Sequence, residues 1–155
     1  MALKSDRLRT TLQVVLAIVI GALAYFLYYS ITEPYEAIER EQRIVEEVRN
    51  RMSDIRTTLN RYERDSTAYP DSLDQLMAHI QRDSALLANR DSIFMTSFEL
   101  DSMFYSPRNG EPFVYTLSDT GQVPTYLLEA PAPDSTDQIG TLSGDPTRTN
   151  VASWE

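Results

Sequence analysis

Hydrophobic and polar positions change rhythm three times along the chain. From Leu12 to Ile31 the only strongly polar side chain is Gln13, and no face of the segment is polar. A run of about 20 apolar residues matches the roughly 30 Å hydrocarbon core of a bilayer at 1.5 Å rise per residue. A globular helix would carry polar residues on one face at a period near 3.6. The rhythm then becomes amphipathic: Val45, Val48, Met52, Ile55, Leu59 and Tyr62 recur at spacings of 3, 4, 3, 4 and 3, with Glu and Arg between them. That pattern predicts a helix over 32–64 with one apolar stripe, either a coiled-coil seam or a face packed on the chain's own distal domain. Pro34 marks the end of the first helix or a kink in it, because it cannot donate the helical hydrogen bond.

Asp65-Ser66-Thr67-Ala68-Tyr69-Pro70 breaks the second helix. Pro70 opens another, with Leu73, Leu76, Met77 and Ile80 as its apolar face. Asp-Ser pairs recur at 65, 71, 83, 91, 101 and 134 with irregular spacing, which suits turns and helix caps rather than a repeat. Beyond Ile93, Ser97–Phe104, Pro112–Leu117 and Gln122–Glu129 are rich in aromatic and aliphatic residues. Pro107-Arg108-Asn109-Gly110 and Ser118-Asp119-Thr120-Gly121 separate them as turns, so a short antiparallel meander is expected. After Pro131 the chain is rich in Pro, Asp, Ser, Thr and Gly and reads as irregular, with Trp154, the only tryptophan, packing back. The expected organisation is a cytoplasmic N-terminus (1–10), a transmembrane helix (11–31), an amphipathic helix (32–64), an external α+β domain (65–130) and an irregular segment (131–155).

Charge sets the expected orientation. Lys4, Arg7 and Arg9 precede the apolar run against one acid, Asp6, whereas Glu33, Glu36, Glu39 and Glu41 follow it. Positive charge stays on the cytoplasmic side, so the N-terminus is expected inside. Tyr25, Phe26, Tyr28 and Tyr29 then fall at the exit interface, where amphipathic rings favour the headgroup level. A cleaved signal peptide is the competing reading, with Ala22-Leu23-Ala24 as its small-x-small site. The apolar run continues past that site through Ile31, which favours an uncleaved anchor. Of 14 basic and 23 acidic residues, three and one precede the run, leaving 11 and 22 beyond it, a net charge of −11. Such a surface repels nucleic acid and anionic headgroups and suits basic proteins or divalent cations.

The chain has no cysteine, which excludes disulfides and thiolate metal sites. Its single histidine, His79, excludes His-pair metal sites and reads as a partly exposed structural residue. No phosphate-binding glycine loop, nucleophile elbow or metalloprotease motif is present. Glu39–Arg43 and Glu47–Arg51 are i, i+4 helix pairs that need no functional role. Ala17-x-x-x-Gly21 is a small-x-x-x-small pair that would let a second membrane helix approach closely.

Several landmarks share one order. Leu59-x-x-Tyr62-x-x-Asp65-x-x-x-Tyr69-Pro70-x-x-Leu73-x-x-Leu76 resembles the segment that follows the long helix in major pseudopilins of type II secretion systems. Pro107-x-x-Gly110-x-Pro112-Phe113-x-Tyr115 is similar to that family's Asp-Pro-x-Gly-x-Pro-Tyr-x-Tyr strand, and Asn150-Val151-Ala152-Ser153-Trp154 to its terminal Asp-Ile-x-x-Trp. The resemblance implies a pilin-like α+β fold, a long N-terminal helix packed on a small antiparallel sheet. It stops at the processing site. Prepilin peptidase needs a Gly immediately before the apolar segment and a Glu five residues into it, whereas Gly21 lies mid-span and no acid lies between Thr10 and Thr32. The family's calcium loop is matched only in region, by Asp134, Asp137 and Asp145, with Asn150 where the family has Asp.

The reading that follows is a non-catalytic accessory or scaffolding subunit of a larger membrane complex, on one uncleaved anchor in a bacterial inner membrane with a periplasmic domain. Its expected partners are other membrane-protein subunits and the lipid bilayer, with no nucleic acid, small-molecule substrate or cofactor. The alternatives are a pseudopilin-like component of a secretion or pilus-like machine and an external ligand or calcium sensor.

Overall fold

The computed structural model describes residues 2–95, 99–119 and 123–155, without the side chains of 2–8 and 31–34. Ser97, Phe98, Thr120, Gly121 and Gln122 from the expected strands and turn lie outside it, as do the side chains of Lys4, Asp6, Arg7, Ile31, Glu33 and Pro34. The architecture is α+β. Helix α1 (Ala2–Ser66) is followed by α2 (Leu73–Arg82), α3 (Ser84–Ala88), α4 (Arg90–Ile93), α5 (Leu100–Met103), β1 (Val114–Ser118), β2 (Thr125–Glu129), β3 (Gln138–Gly140) and a 3-10 turn, Pro146–Arg148. Two compact units divide the chain, Met1–Gln42 and Arg43–Glu155, and α1 contributes to both.

The first unit is helical and makes no core. Leu12, Val14, Leu16, Ile18, Ile20 and Leu23 are all exposed, and the most apolar stretch of the helix is wholly unburied. It is long and apolar enough to cross a membrane. Pro34 does not end α1. Proline forfeits one backbone donor, and the good helix formers Glu36, Ala37, Glu39 and Arg40 carry the helix on beyond it.

The second unit packs one core. Val48, Met52, Ile55 and Leu59 from α1 are completely buried, together with Leu76 and Ile80 from α2, Leu86 from α3, and Tyr126, Leu128 and Ile139 from the sheet. Val45 is half-buried and Tyr62 packs against the edge of the cluster. The stripe therefore covers the chain's own sheet and helices rather than a coiled-coil partner. The sheet runs β1-β2-β3, antiparallel throughout, with Tyr115 opposite Leu128 and Leu128 opposite Ile139. Alternation in β2 sends Tyr126 and Leu128 to the core, as a strand period of two requires.

Local chemistry explains the boundaries. Ser72 caps α2 by accepting from the Gln75 N–H, and Asp83 caps α3 through the N–H groups of Ala85 and Leu86. α1 closes on Thr67, whose N–H donates to the Glu63 carbonyl at 2.7 Å with φ at 60°. Glycine usually holds this left-handed position after a helix.

Three expectations need correction. Pro70 does not open α2, because the helix begins at Leu73 behind its Ser72 cap. Leu100–Met103 is a helical turn, not part of a strand: the Glu99 carbonyl accepts from Ser102 and Met103, and Asp101 sits in the first turn where the helix dipole favours an acid. The segment after Pro131 is also more ordered than expected. It supplies β3, and an isolated bridge joins Ile139 to Ala152. Gly140 makes this close return feasible. Its φ is 94°, and a Cβ there would collide with the Tyr126 carbonyl and meet the Thr149 carbonyl at 2.9 Å.

Candidate functional site

Four arginines on the second half of α1 reach four different parts of the second unit. Arg49 donates to both carboxylate oxygens of Asp137 at 2.8 and 3.0 Å, and its guanidinium lies 5.3 Å from the Trp154 ring centre. Arg51 donates to the carbonyls of Ser102 and Tyr105, both at 2.8 Å. Arg56 holds the Asn150 carbonyl at 3.0 Å and Glu155 at 2.9 Å. Arg61 Nε lies 2.6 Å from Asp83 Oδ2, an ion pair though off the line of a hydrogen bond. The planar guanidinium can serve a carboxylate and two carbonyls at once, a task that suits arginine better than lysine. Of the two i, i+4 pairs named from sequence, Glu47–Arg51 forms at 2.8 Å, so Arg51 is both a local and a long-range partner.

The acids singled out for calcium each have another partner. Asp134 accepts a bidentate pair from Arg108 at 2.7 and 3.0 Å, with both side chains largely buried. Asp137 is taken by Arg49, and Asp145 caps the 3-10 turn through Thr147. The hydroxyl and N–H of Thr147 hold the Asp145 carboxyl below its ordinary range. An ion at these acids would have to displace two guanidinium groups. Among the described residues a different trio, Asp65, His79 and Asp83, has ligand atoms within 4.8 Å of one another. Arg61 already faces Asp83 within this trio. His79 Nε2 lies 3.4 Å from Asp65 Oδ2, and its ring meets Tyr62 edge-on at 4.9 Å. These contacts fasten α2 to the end of α1.

In the first unit Ala17 and Gly21 lie exposed, and nothing stands within 4 Å of where a Gly21 side chain would begin. Tyr25, Phe26, Tyr28 and Tyr29 are also exposed.

The second unit carries a small recess beside the end of α1. It has a volume of about 120 Å³ and is lined by Glu63, Tyr69, Val123, Pro124, Thr149 and Asn150, among others. A wider open shelf adjoins it, sharing Glu63, Tyr69 and Asn150 and adding Thr57, Asn60 and Arg64. Behind the recess is a tyrosine stack: Tyr69 meets Tyr126 edge-on at 5.0 Å, and Tyr115 stacks on Tyr126 at 6.0 Å. Tyr126 donates to Asn150 Oδ1 and Tyr115 to the Pro70 carbonyl, each at 2.8 Å. Burial pushes all three phenols up, and the Glu63 carboxylate adds to the shift at Tyr69. The sequence signalled the tyrosines but not the recess, whose walls come from positions more than eighty residues apart. No protein-family model, no curated protein and no solved structure matches this chain.

Proposed function

We propose that the protein is a non-catalytic accessory or scaffolding subunit of a larger integral membrane complex. The carrying observation is the contrast within α1. The stretch around Leu12–Tyr29 exposes large apolar side chains on every face, whereas the stretch from Val48 to Leu59 buries its apolar stripe within its own unit. An apolar helix without a core of its own needs lipid or other helices around it. The anchor is read as remaining uncleaved, with its N-terminus cytoplasmic and the second unit in the periplasm of a bacterial cell. Arginine clamps fix the loops of that unit into a defined surface, which suits docking on neighbouring subunits. Its pilin-like character rests on the shared order of Tyr62, Tyr69-Pro70, the Pro107–Tyr115 segment and Trp154.

The test is affinity purification of the tagged full-length chain in mild detergent, followed by mass spectrometry. Stoichiometric recovery of one large membrane complex is expected and would name the assembly. Recovery of a secretion ATPase or other pilin-like chains would replace this reading with a pseudopilin-like role in a secretion machine. A lone monomer would sink both.

A further inference from the structure

We infer that the outer edge of β1 is a docking site for an extended, basic segment of a different protein, which adds to the sheet as a fourth strand. This rests on the accessory-subunit reading and names the chemistry of one partner contact.

The two edges of the sheet are treated differently. Beyond β3 the chain returns to close the edge. Gly140 N–H donates to the Val151 carbonyl at 3.0 Å, Ser153 N–H donates to the Gln138 carbonyl at 2.8 Å, and Ile139 bridges Ala152. Beyond β1 the chain's own cover ends before the strand begins, where Phe113 N–H donates to the Phe104 carbonyl at 3.0 Å. In an antiparallel strand the backbone groups of alternate residues point to the same side. Thr141 N–H donates to the Tyr126 carbonyl and Ala130 N–H to the Asp137 carbonyl, so the even-numbered residues of β2 face β3. Thr125, Leu127 and Glu129 therefore face β1, where their partners are Ser118, Thr116 and Val114. The N–H and C=O groups of Tyr115 and Leu117 are left pointing outward. Among the described residues no strand and no hydrogen bond reaches these four groups.

Such an edge is a template for another strand, and chains usually blunt it with a charge, a proline or a bulge. β1 has none of these. Val114-Tyr115-Thr116-Leu117-Ser118 is uncharged, holds no proline and pairs one-to-one with β2.

The flank of the edge sets the charge of the occupant. A groove of about 250 Å³ runs between the start of β1, at Phe113 and Tyr115, and the start of α2, at Asp71, Leu73 and Asp74. It takes no wall from β2, so it lies on the outer side of β1. Asp71 and Asp74 are exposed, and neither carboxylate has an ion-pair partner among the described residues. A lysine or arginine on an added strand would meet both, in a unit whose net charge beyond the apolar run, −11, already draws basic chains.

A second copy of this chain fits poorly. Two β1 edges pairing antiparallel about Thr116 would match Tyr115 with Leu117 in both directions. The same register sets Asp119 of one copy opposite Phe113 of the other, at the groove that holds Asp71 and Asp74. Like charges brought together twice oppose that pairing.

The test uses the full chain in detergent micelles and an eight-residue peptide of alternating valine and lysine. One control peptide carries glutamate in place of lysine, and another is N-methylated at every backbone amide. Backbone amide NMR with hydrogen exchange is the readout. Saturable shifts and slowed exchange are expected at Tyr115 and Leu117 with the lysine peptide, weaker with the glutamate peptide and absent with the N-methylated one. Replacing Asp71→Asn and Asp74→Asn together should weaken binding by about five-fold, the scale of two exposed ion pairs. Leu117→Pro removes an outward donor that the fold does not use, and should weaken binding further while the other amides keep their shifts. Absent shifts, equal response to the N-methylated peptide, or equal or tighter binding of the glutamate peptide would each overturn the assignment. So would slowed exchange at Tyr115 and Leu117 that needs no peptide and grows with protein concentration, which gives the edge to a second copy. Failure here with a complex recovered in purification removes the docking edge and leaves the accessory role. Binding here with only a monomer recovered does the reverse.

Discussion

The two halves of α1 are the same secondary structure solving opposite problems. Around Leu12–Tyr29 every face is apolar and exposed, so the helix is specified by its surroundings rather than by partners in the chain. From Arg43 onward a narrow stripe, completed by Val48, Met52, Ile55 and Leu59, is buried to the last atom, while arginines beside it hold the loops. With lipid around it, as proposed, the first half is insensitive to which apolar residue stands where, because lipid conforms to any shape. The second is sensitive to each one, because a packed interior does not.

Substitutions can break that comparison. The largest effect is expected from Met52→Ala, which empties a fully buried position and should cost about 3–4 kcal/mol in urea unfolding followed by Trp154 fluorescence. The matching change in the first half, Val19→Met, should leave that curve untouched. Val19→Arg should instead lower membrane insertion by about 3 kcal/mol, read as the fraction retained in carbonate-washed membranes, without moving the unfolding midpoint. A shared response to both changes would mean the halves are not independent.

Smaller changes sharpen the picture of the second unit. Thr67→Gly relieves a left-handed residue at the end of α1 and should stabilise by about 1 kcal/mol in the same assay. The smallest effect is the pH dependence. The Leu86 N–H and then Arg61 hold the Asp83 carboxyl below its ordinary 3.8, so the folded chain gives up that proton more readily than the unfolded chain. Its stabilisation is complete above about pH 5 and is lost as the pH falls through the lowered value. Tyr115 and Tyr126 are raised by burial above 10.0, so their contribution is complete at neutral pH and is lost as the pH rises beyond that value. Unfolding midpoints should show a plateau between these limits, and Asp83→Asn should flatten its acid edge.

What could be read from sequence follows from how local the signals are. The apolar run, the 3-4-3-4-3 stripe and the centres of β1 and β2 are periodic within ten or so residues, and each falls on the expected secondary structure. Leu100–Met103 misleads because Ser97-Phe98-Glu99-Leu100-Asp101 alternates as a strand would, while Leu100, Met103 and Phe104 also fall at helical spacings of 3 and 4. The segment after Pro131 misleads for another reason. Ile139 is the one apolar residue of a three-residue strand, and what orders it comes from Arg49 and Arg56, some ninety positions earlier. The arginine clamps look, in sequence, like ordinary charges on a solvated helix. The recess was equally hidden, because Glu63 and Thr149 come to line it together only once β3 and the 3-10 turn have formed.

That distance along the chain has a consequence in time. The α1 stripe can become helical within microseconds, yet Ile139, Ala152 and the Arg56–Glu155 contact join it across as many as 99 positions. Loop closure over such spans is slow, and until it happens the stripe is an uncovered sticky seam. The same strip of Val48, Met52, Ile55 and Leu59 that secures the finished unit is thus its most vulnerable surface while it is being made, and a chaperone that holds nascent chains would find its first grip there.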